Sequence, residues 1–355
     1  MKSPKISLGS RTIDADSAPY VIAEIGVNHG GSLELAKQLI DLAKAGGADA
    51  AKFQTYKADT LASRHSPAYW DTTKEPTLSQ FELFKKYDAF GPSEYTELAA
   101  HCKKVKIDFV STPFDDDAVD LLAPLVPFFK IASADLTNTP LLRRVARTRK
   151  PVVLSVGAST VDEIDSALAT LRSAGATDIA LLHCILNYPT ADENANLWML
   201  GDLSKRYPEC VIGYSDHTVP KDGLPSLVAA WLLGAVVLEK HFTHDTSLQG
   251  NDHYHAMTKE HLSGFRAEVQ RIRPLLGSRT KVPLASEEIA RKNARRSIVV
   301  ARDLVAGHVI TEADITYKRP GTGISPLSWD DVIGRSTKRA LVADDVLQWS
   351  DLADA

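Results

Sequence analysis

Two lysines of this chain lie inside apolar runs, where an unpaired ammonium is costly to bury. Lys52 falls within Ala50–Gln54 and Lys130 within Pro127–Ser133. Each must meet either a partner or a ligand. One reading is an ion pair across a protein interior. The other is an anion site to which both lysines contribute, and two such lysines on different runs favour it. Ser111, Thr112, Ser133 and Ser155 add hydroxyl donors at neighbouring run ends. His217 and His241 form a second constellation, each closing or following an apolar run. Strands in a sheet lie about 4.8 Å apart, so imidazoles on two adjacent strand ends can share one divalent ion. Two protein ligands leave positions open for water and substrate, which suits a Lewis acid. A hydrogen-bonded histidine pair is the plainer alternative. Glu24, Asp216 and Glu239 could orient ligands, move protons, or pair with Lys52, Lys130 and Lys240.

These residues share a position in a repeated pattern. Eight short apolar runs are Tyr20–Ile25, Ala50–Gln54, Ile107–Thr112, Pro127–Ser133, Val152–Ser155, Ile179–His183, Val211–Ser215 and Ala235–His241. Each ends in polar or charged residues, and helix-length amphipathic segments separate most of them. In a parallel (β/α)8 TIM barrel the chemistry gathers at the carboxyl ends of the strands, and that is the expected α/β architecture. The long segment between Tyr56 and Phe90 reads as a wall or lid on that face. His253 and His255 in NDHYHAM could suggest another metal site, but a solvated loop is the preferred reading. His183 and Cys184 read as filling of the sixth strand's end, with a minor contact role as the alternative. Asn28 and His29 lie in a glycine-rich turn, with turn formation as the plain reading and a sugar contact as the sharper one.

The barrel accounts for about 250 residues of the 355. After Gly277 the pattern changes. The expected organisation is a barrel over 1–280, a charged linker over 281–293, and a small β domain over 294–355. A net charge of -4 argues against a nucleic-acid surface. Three separated cysteines make neither a disulfide framework nor a cysteine zinc site. No run approaches the ~18 apolar residues of a spanning helix, so no membrane partner is expected and a cytoplasmic setting is the default.

The stretches AEIGVNHGGS, KFQTYKADTL, DFVSTPFD, FKIASADLTNTPLL, IGYSDHT and LEKHFTHD resemble the sialic acid synthase family. ARRSIVVARDLVAGHVITEADITYKRPGTGISP resembles the antifreeze-like (SAF) β-clip domain of the same synthases. That resemblance implies condensation of phosphoenolpyruvate with N-acetylmannosamine or a related acetamido aldose, giving a nonulosonic acid and phosphate. It implies a divalent metal on His217 and His241, manganese foremost, with magnesium or cobalt as alternatives. It assigns Lys52, Thr112, Lys130, Ser133, Ser155 and Ser215 to phosphoenolpyruvate. Glu24 and Glu239 become the catalytic acids, with Tyr188 and Asp252 near the sugar. Arg319 becomes the arginine that the SAF domain inserts over the site of a partner in a swapped homodimer.

The chain departs from bacterial sialic acid members in several places: NHGG for NHNG, Ser155-Val156-Gly157 for STG, Leu186 for an asparagine near the sugar, and GNDHYHAM for GPDHKAS. These leave the anion and metal sets intact and open the acceptor to a legionaminic- or pseudaminic-type sugar. Two further classes stand beside this reading. One is a Schiff-base aldolase using Lys52 or Lys130. The other is a non-catalytic carbohydrate-binding protein.

Overall fold

The computed structural model describes residues 4–70, 72, 73, 75–250 and 252–353. A hairpin of β1 (Ile6–Leu8) and β2 (Arg11–Ile13) comes first. Eight parallel strands follow: β3 (Tyr20–Gly26), β4 (Ala50–Thr55), β5 (Asp108–Pro113), β6 (Phe129–Ile131), β7 (Val152–Ser155), β8 (Ile179–Cys184), β9 (Val211–Asp216) and β10 (Val237–His241). They hydrogen-bond in the order β5-β4-β3-β10-β9-β8-β7-β6, a nearly closed barrel with helices between successive strands. All eight expected runs become strands. The fourth is shorter than its run, because a 3-10 turn begins at Ser133 and takes the chain off the sheet.

The helices form where the apolar period and caps require. Leu33–Gly46 buries Ala36, Leu39, Ile40 and Ala43 on one stripe. The Ser32 hydroxyl accepts from the Leu35 amide, and Gly47 closes the helix at φ +99, a left-handed conformation suited to glycine. Val161–Ser173 opens on a capping box between Thr160 and Glu163. The segment between Tyr56 and Phe90 carries its own helices, Ala58–Leu61 and Gln80–Tyr87.

Alternation along the strands builds two layers of core. Val21, Ala23 and Ile25 of β3 face the helices, while Tyr20 and Ile22 face the barrel interior. The interior cluster also holds Ala50, Val110, Phe128, Val153, Ala180, Leu182, Val211 and Val237. Ile6, Leu8 and Ile13 of the β1–β2 hairpin join it and plug the amino-terminal end, an element not expected from the sequence. Each fully buried aliphatic or Phe side chain contributes roughly 1.5–3 kcal/mol relative to exposure. Gly213 of β9 has no room for a side chain, since a Cβ there would lie 2.3 Å from the Val237 carbonyl oxygen.

The chain divides into two compact units, Met1–Leu275 and Leu276–Ala355. In the second, β11 (Ser297–Val300) and β12 (Ile315–Lys318) pair antiparallel. Ile298, Val300, Leu304, Ile310, Leu341 and Leu347 are among its own apolar core. Its Asp314 carboxylate is buried and accepts from Arg302, His308 and Thr311. The stretch expected as linker holds a 3-10 turn, Ala285–Glu287, and a helix, Glu288–Ala294.

Candidate active site

The same alternation that points Ile22, Ala50, Val110, Phe128, Val153, Ala180 and Val211 inward points their successors two residues on inward as well. Those successors are Glu24, Lys52, Thr112, Lys130, Ser155, Leu182 and Gly213. A further step brings Cys184 and Ser215, and on β10 Glu239 and His241 follow Val237. Apolar side chains therefore fill the lower barrel and polar ones its carboxyl end. There they line a cavity of about 470 Å³ that includes Glu24, Lys52, Thr112, Lys130, Ser133, Ser155, Tyr188, Ser215, His217, Glu239 and His241. Leu61, Tyr69, Gln80 and Phe84, from the long segment after β4, supply part of its wall.

Four opposite charges meet in this cavity. Lys52 Nζ lies 2.6 Å from Glu24 Oε2 and 3.8 Å from Glu239 Oε2, and 3.1 Å from Thr112 Oγ1. Lys130 Nζ lies 3.4 Å from Glu239 Oε1 and donates to the Ile131 carbonyl. Of the two readings of the lysines, the structure shows the ion pairs across the barrel, and these pairs line a cavity. Burial, joined by the charge of Glu239, raises the Glu24 carboxyl above its ordinary value despite Lys52. Burial acts the same way on Glu239, but Lys130, Lys52 and the Ser215 hydroxyl outweigh it and hold that carboxyl low. Burial lowers the Lys130 ammonium. For Lys52 the charges of Glu239 and Glu24 overcome burial, and the shift is upward.

Ser133 Oγ accepts from the Gly157 amide, and Ser155 Oγ is buried with no hydrogen-bond partner among the described residues. Gly157 is confined: a Cβ there would lie 2.9 Å from the Cys184 carbonyl and 3.0 Å from Ser133 Oγ.

His217 follows β9 and His241 ends β10, with ring centroids 5.4 Å apart. The Nδ1–H of His217 donates to the Ile185 carbonyl at 2.8 Å, which leaves its Nε2 as the lone-pair nitrogen. Tyr188 packs 4.2 Å from the His217 ring. His241 Nδ1 lies 3.5 Å from Asp252 Oδ2. Burial depresses both imidazoles, His217 to about 4 and His241 well below its ordinary value. Neutral imidazoles beside a carboxylate, one held in a fixed tautomer by a carbonyl, fit a divalent ion.

The barrel residues assigned to substrate, metal and proton transfer converge, Asp252 through His241 and through a second cavity of about 230 Å³ that shares Gln54, Tyr69, Phe84, Tyr188 and His241 with the first. Ser111, in contrast, bonds Thr55 Oγ1, and Asp216 pairs with Lys240 away from the cavity. Arg319 is exposed on the second unit, immediately after β12. Gln54 went unnoticed in the sequence although it alternates with Lys52; its amide donates to Glu24 Oε1 at 3.0 Å. The solvated-loop reading of the NDHYHAM histidines is corrected. His255 is fully buried and its ring lies 4.7 Å from that of His241, while His253 is half-buried and bonded to Thr243 Oγ1. Asn251 of the same stretch lies outside the described residues. Asn28 donates to the Phe242 and Asp252 carbonyls and lines the second cavity, while His29 stacks on Phe90. His183 donates to the Ala195 carbonyl and stacks on Tyr214.

Comparison with known proteins gives this site a lineage. The NeuB family model matches residues 39–281 and the SAF domain model residues 295–353. A protein of Methanocaldococcus jannaschii described as uncharacterized is 39% identical over 349 residues, covering 98% of each chain. The N,N'-diacetyllegionaminic acid synthase of Legionella pneumophila is 36% identical over 340 residues, covering 94% of each. Among solved structures, the N-acetylneuraminic acid (sialic acid) synthetase of Leptospira borgpetersenii, in complex with citrate, superposes with a TM-score of 0.72 at 34% identity. The match covers 81% of this chain and 95% of that one. With its barrel matched by the one model and its C-terminal unit by the other, the chain belongs to the NeuB family of nonulosonic acid synthases and carries a SAF domain.

Proposed function

We propose that this chain condenses phosphoenolpyruvate with N-acetylmannosamine or a related acetamido aldose and water, releasing a nonulosonic acid and phosphate. The observation that carries the reading is the joint placement of Lys52, Lys130, Glu24 and Glu239 beneath His217 and His241 in one cavity. Lys52 and Lys130, with Thr112, Ser133, Ser155 and Ser215, hold the phosphate and carboxylate through charge-assisted bonds. His217 and His241 hold the metal, manganese foremost, and the bound ion supplies polarisation of the acceptor's carbonyl oxygen. The enol carbon then bonds to the aldehyde carbon, water adds at the carbon bearing phosphate, and inorganic phosphate departs. Glu24 has the raised carboxyl and is the group that moves the proton, while Glu239 stays ionised between the two lysines.

The acceptor reading has a second form. Leu186 lines the cavity beside Tyr188 and offers no hydrogen bond. A side chain of this kind suits an acceptor with a deoxygenated end, as a legionaminic- or pseudaminic-type product would require. The proposed working unit is a cytoplasmic homodimer in which Arg319 serves the partner's barrel, a reading supported by the SAF match and the exposure of Arg319.

The test is phosphate release from phosphoenolpyruvate across a panel of acetamido aldoses, before and after metal removal. Turnover with one or more of them, lost to a chelator and restored by manganese, is the expected result. A stable lysine adduct after borohydride treatment with pyruvate would replace this chemistry by a Schiff-base aldolase.

A further inference from the structure

His255 has no exposed surface, and neither ring nitrogen has a hydrogen-bond partner among the described residues. Two unsatisfied polar atoms on one buried ring is a costly arrangement unless a ligand completes it. The surroundings indicate which ligand. Donor atoms of His255, His241 and Asp252 all fall within 4.8 Å of one another. Bonds of about 2.0–2.2 Å from nitrogen and carboxylate oxygen to a transition ion place two donors at most ~4.4 Å apart. Donors that share one ion at adjacent positions sit closer, about 3–3.8 Å apart at these bond lengths, so side-chain adjustment draws the cluster onto an ion. The His217, His241 and His255 rings form a triangle, with centroids 5.4 Å (His217–His241), 4.7 Å (His241–His255) and 6.0 Å (His217–His255) apart.

We infer that His255 is an additional protein ligand of the divalent-cation site, so that this chain presents three imidazoles and the Asp252 carboxylate. The inference rests on the metal reading above and adds a ligand from a stretch that the sequence marked as loop. Three imidazoles shift the preference toward borderline transition ions and away from magnesium. They also hold the ion before either substrate arrives.

The experiment uses the full chain without substrates. Co2+ binding is followed by calorimetry, and pulsed EPR of bound Mn2+ counts coordinated imidazole nitrogens. Three are expected in the unmutated chain and two in His255→Leu. Co2+ affinity is expected to fall about 10-fold or more in that variant, since loss of even an outer partner of a ligand costs 10–100-fold. The metal-free variant should melt no lower than the metal-free parent, because leucine replaces two unsatisfied nitrogens, and its melting should respond less to Co2+. Two imidazoles in the unmutated chain overturn the assignment, as does unchanged affinity in His255→Leu alongside lost affinity in His241→Ala. Both of those outcomes leave the condensation reading standing. Failure of the unmutated chain to bind either ion overturns both.

Discussion

Lys240 Nζ and Asp216 Oδ2 are 2.8 Å apart with both side chains wholly removed from solvent, and the two residues are register partners on adjacent strands β10 and β9. They precede His241 and His217 and face away from the cavity, into the layer beneath the helices. Asp216 also accepts from Tyr214, Thr218 and Ser226, and Lys240 donates to the Thr218 carbonyl. The pair thus clamps the two strand ends that present the histidines.

Removing one partner strands the other. Lys240→Met is expected to cost about 3–5 kcal/mol by chemical denaturation. Asp216→Asn/Lys240→Met should recover part of that loss, and additive losses in the double variant would show that the pair shares no energy.

Lys52 carries a different expectation from the one its sequence context invites. A methionine in an apolar run reads as harmless to folding or even stabilising. With Glu24 at 2.6 Å and buried, Lys52→Met instead leaves a carboxylate without its cation. The denaturation midpoint should fall, and Glu24→Gln should restore stability in the double variant without restoring turnover. Phosphoenolpyruvate KM should rise roughly 10- to 150-fold for Lys52→Met or Lys130→Met, the equivalent of a charged contact worth ~1.5–3 kcal/mol. An unchanged KM in both would remove the lysines from the anion site.

The SAF unit should be acid-sensitive through Asp314. Although burial opposes it, the bonds from His308, Thr311 and Arg302 hold its carboxyl well below the usual carboxylate range. A group depressed on folding stabilises fully above its unfolded value, near pH 4, and loses that contribution as pH falls toward the folded value. Amide exchange of Ile298 and Val300 in the full chain, taken relative to the intrinsic rate at each pH, should accelerate below about pH 4. In Asp314→Asn it should already be faster at neutral pH, with a flatter acid dependence. The same pH slope in the variant would exclude Asp314 as the source.

Chain exchange tests the swapped assembly. An Arg319→Ala chain mixed with a His217→Ala chain should regain turnover, because one site of the heterodimer then holds both native residues. Confirmed heterodimers with no recovery would place Arg319 in the service of its own barrel, or of neither.

The strand runs, their polar ends and the change of pattern after Gly277 were legible in the sequence, because alternation and helical period are local properties of the chain. So were Lys52, Lys130, His217 and His241, whose residue types conflict with their apolar or strand-end setting. Three-dimensional packing decided the rest. Ion pairing between Lys52 and Glu24, or between Lys130 and Glu239, depends on residues far apart in the chain that barrel closure brings together. The β1–β2 hairpin is too short to announce itself and acquires its apolar partners only at the barrel's end. NDHYHAM has the composition of a solvated loop, and only its fold against His241 and Tyr188 buries His255. Sequence fixes which side of a strand a residue takes; burial and charge pairing are set by what closes over it.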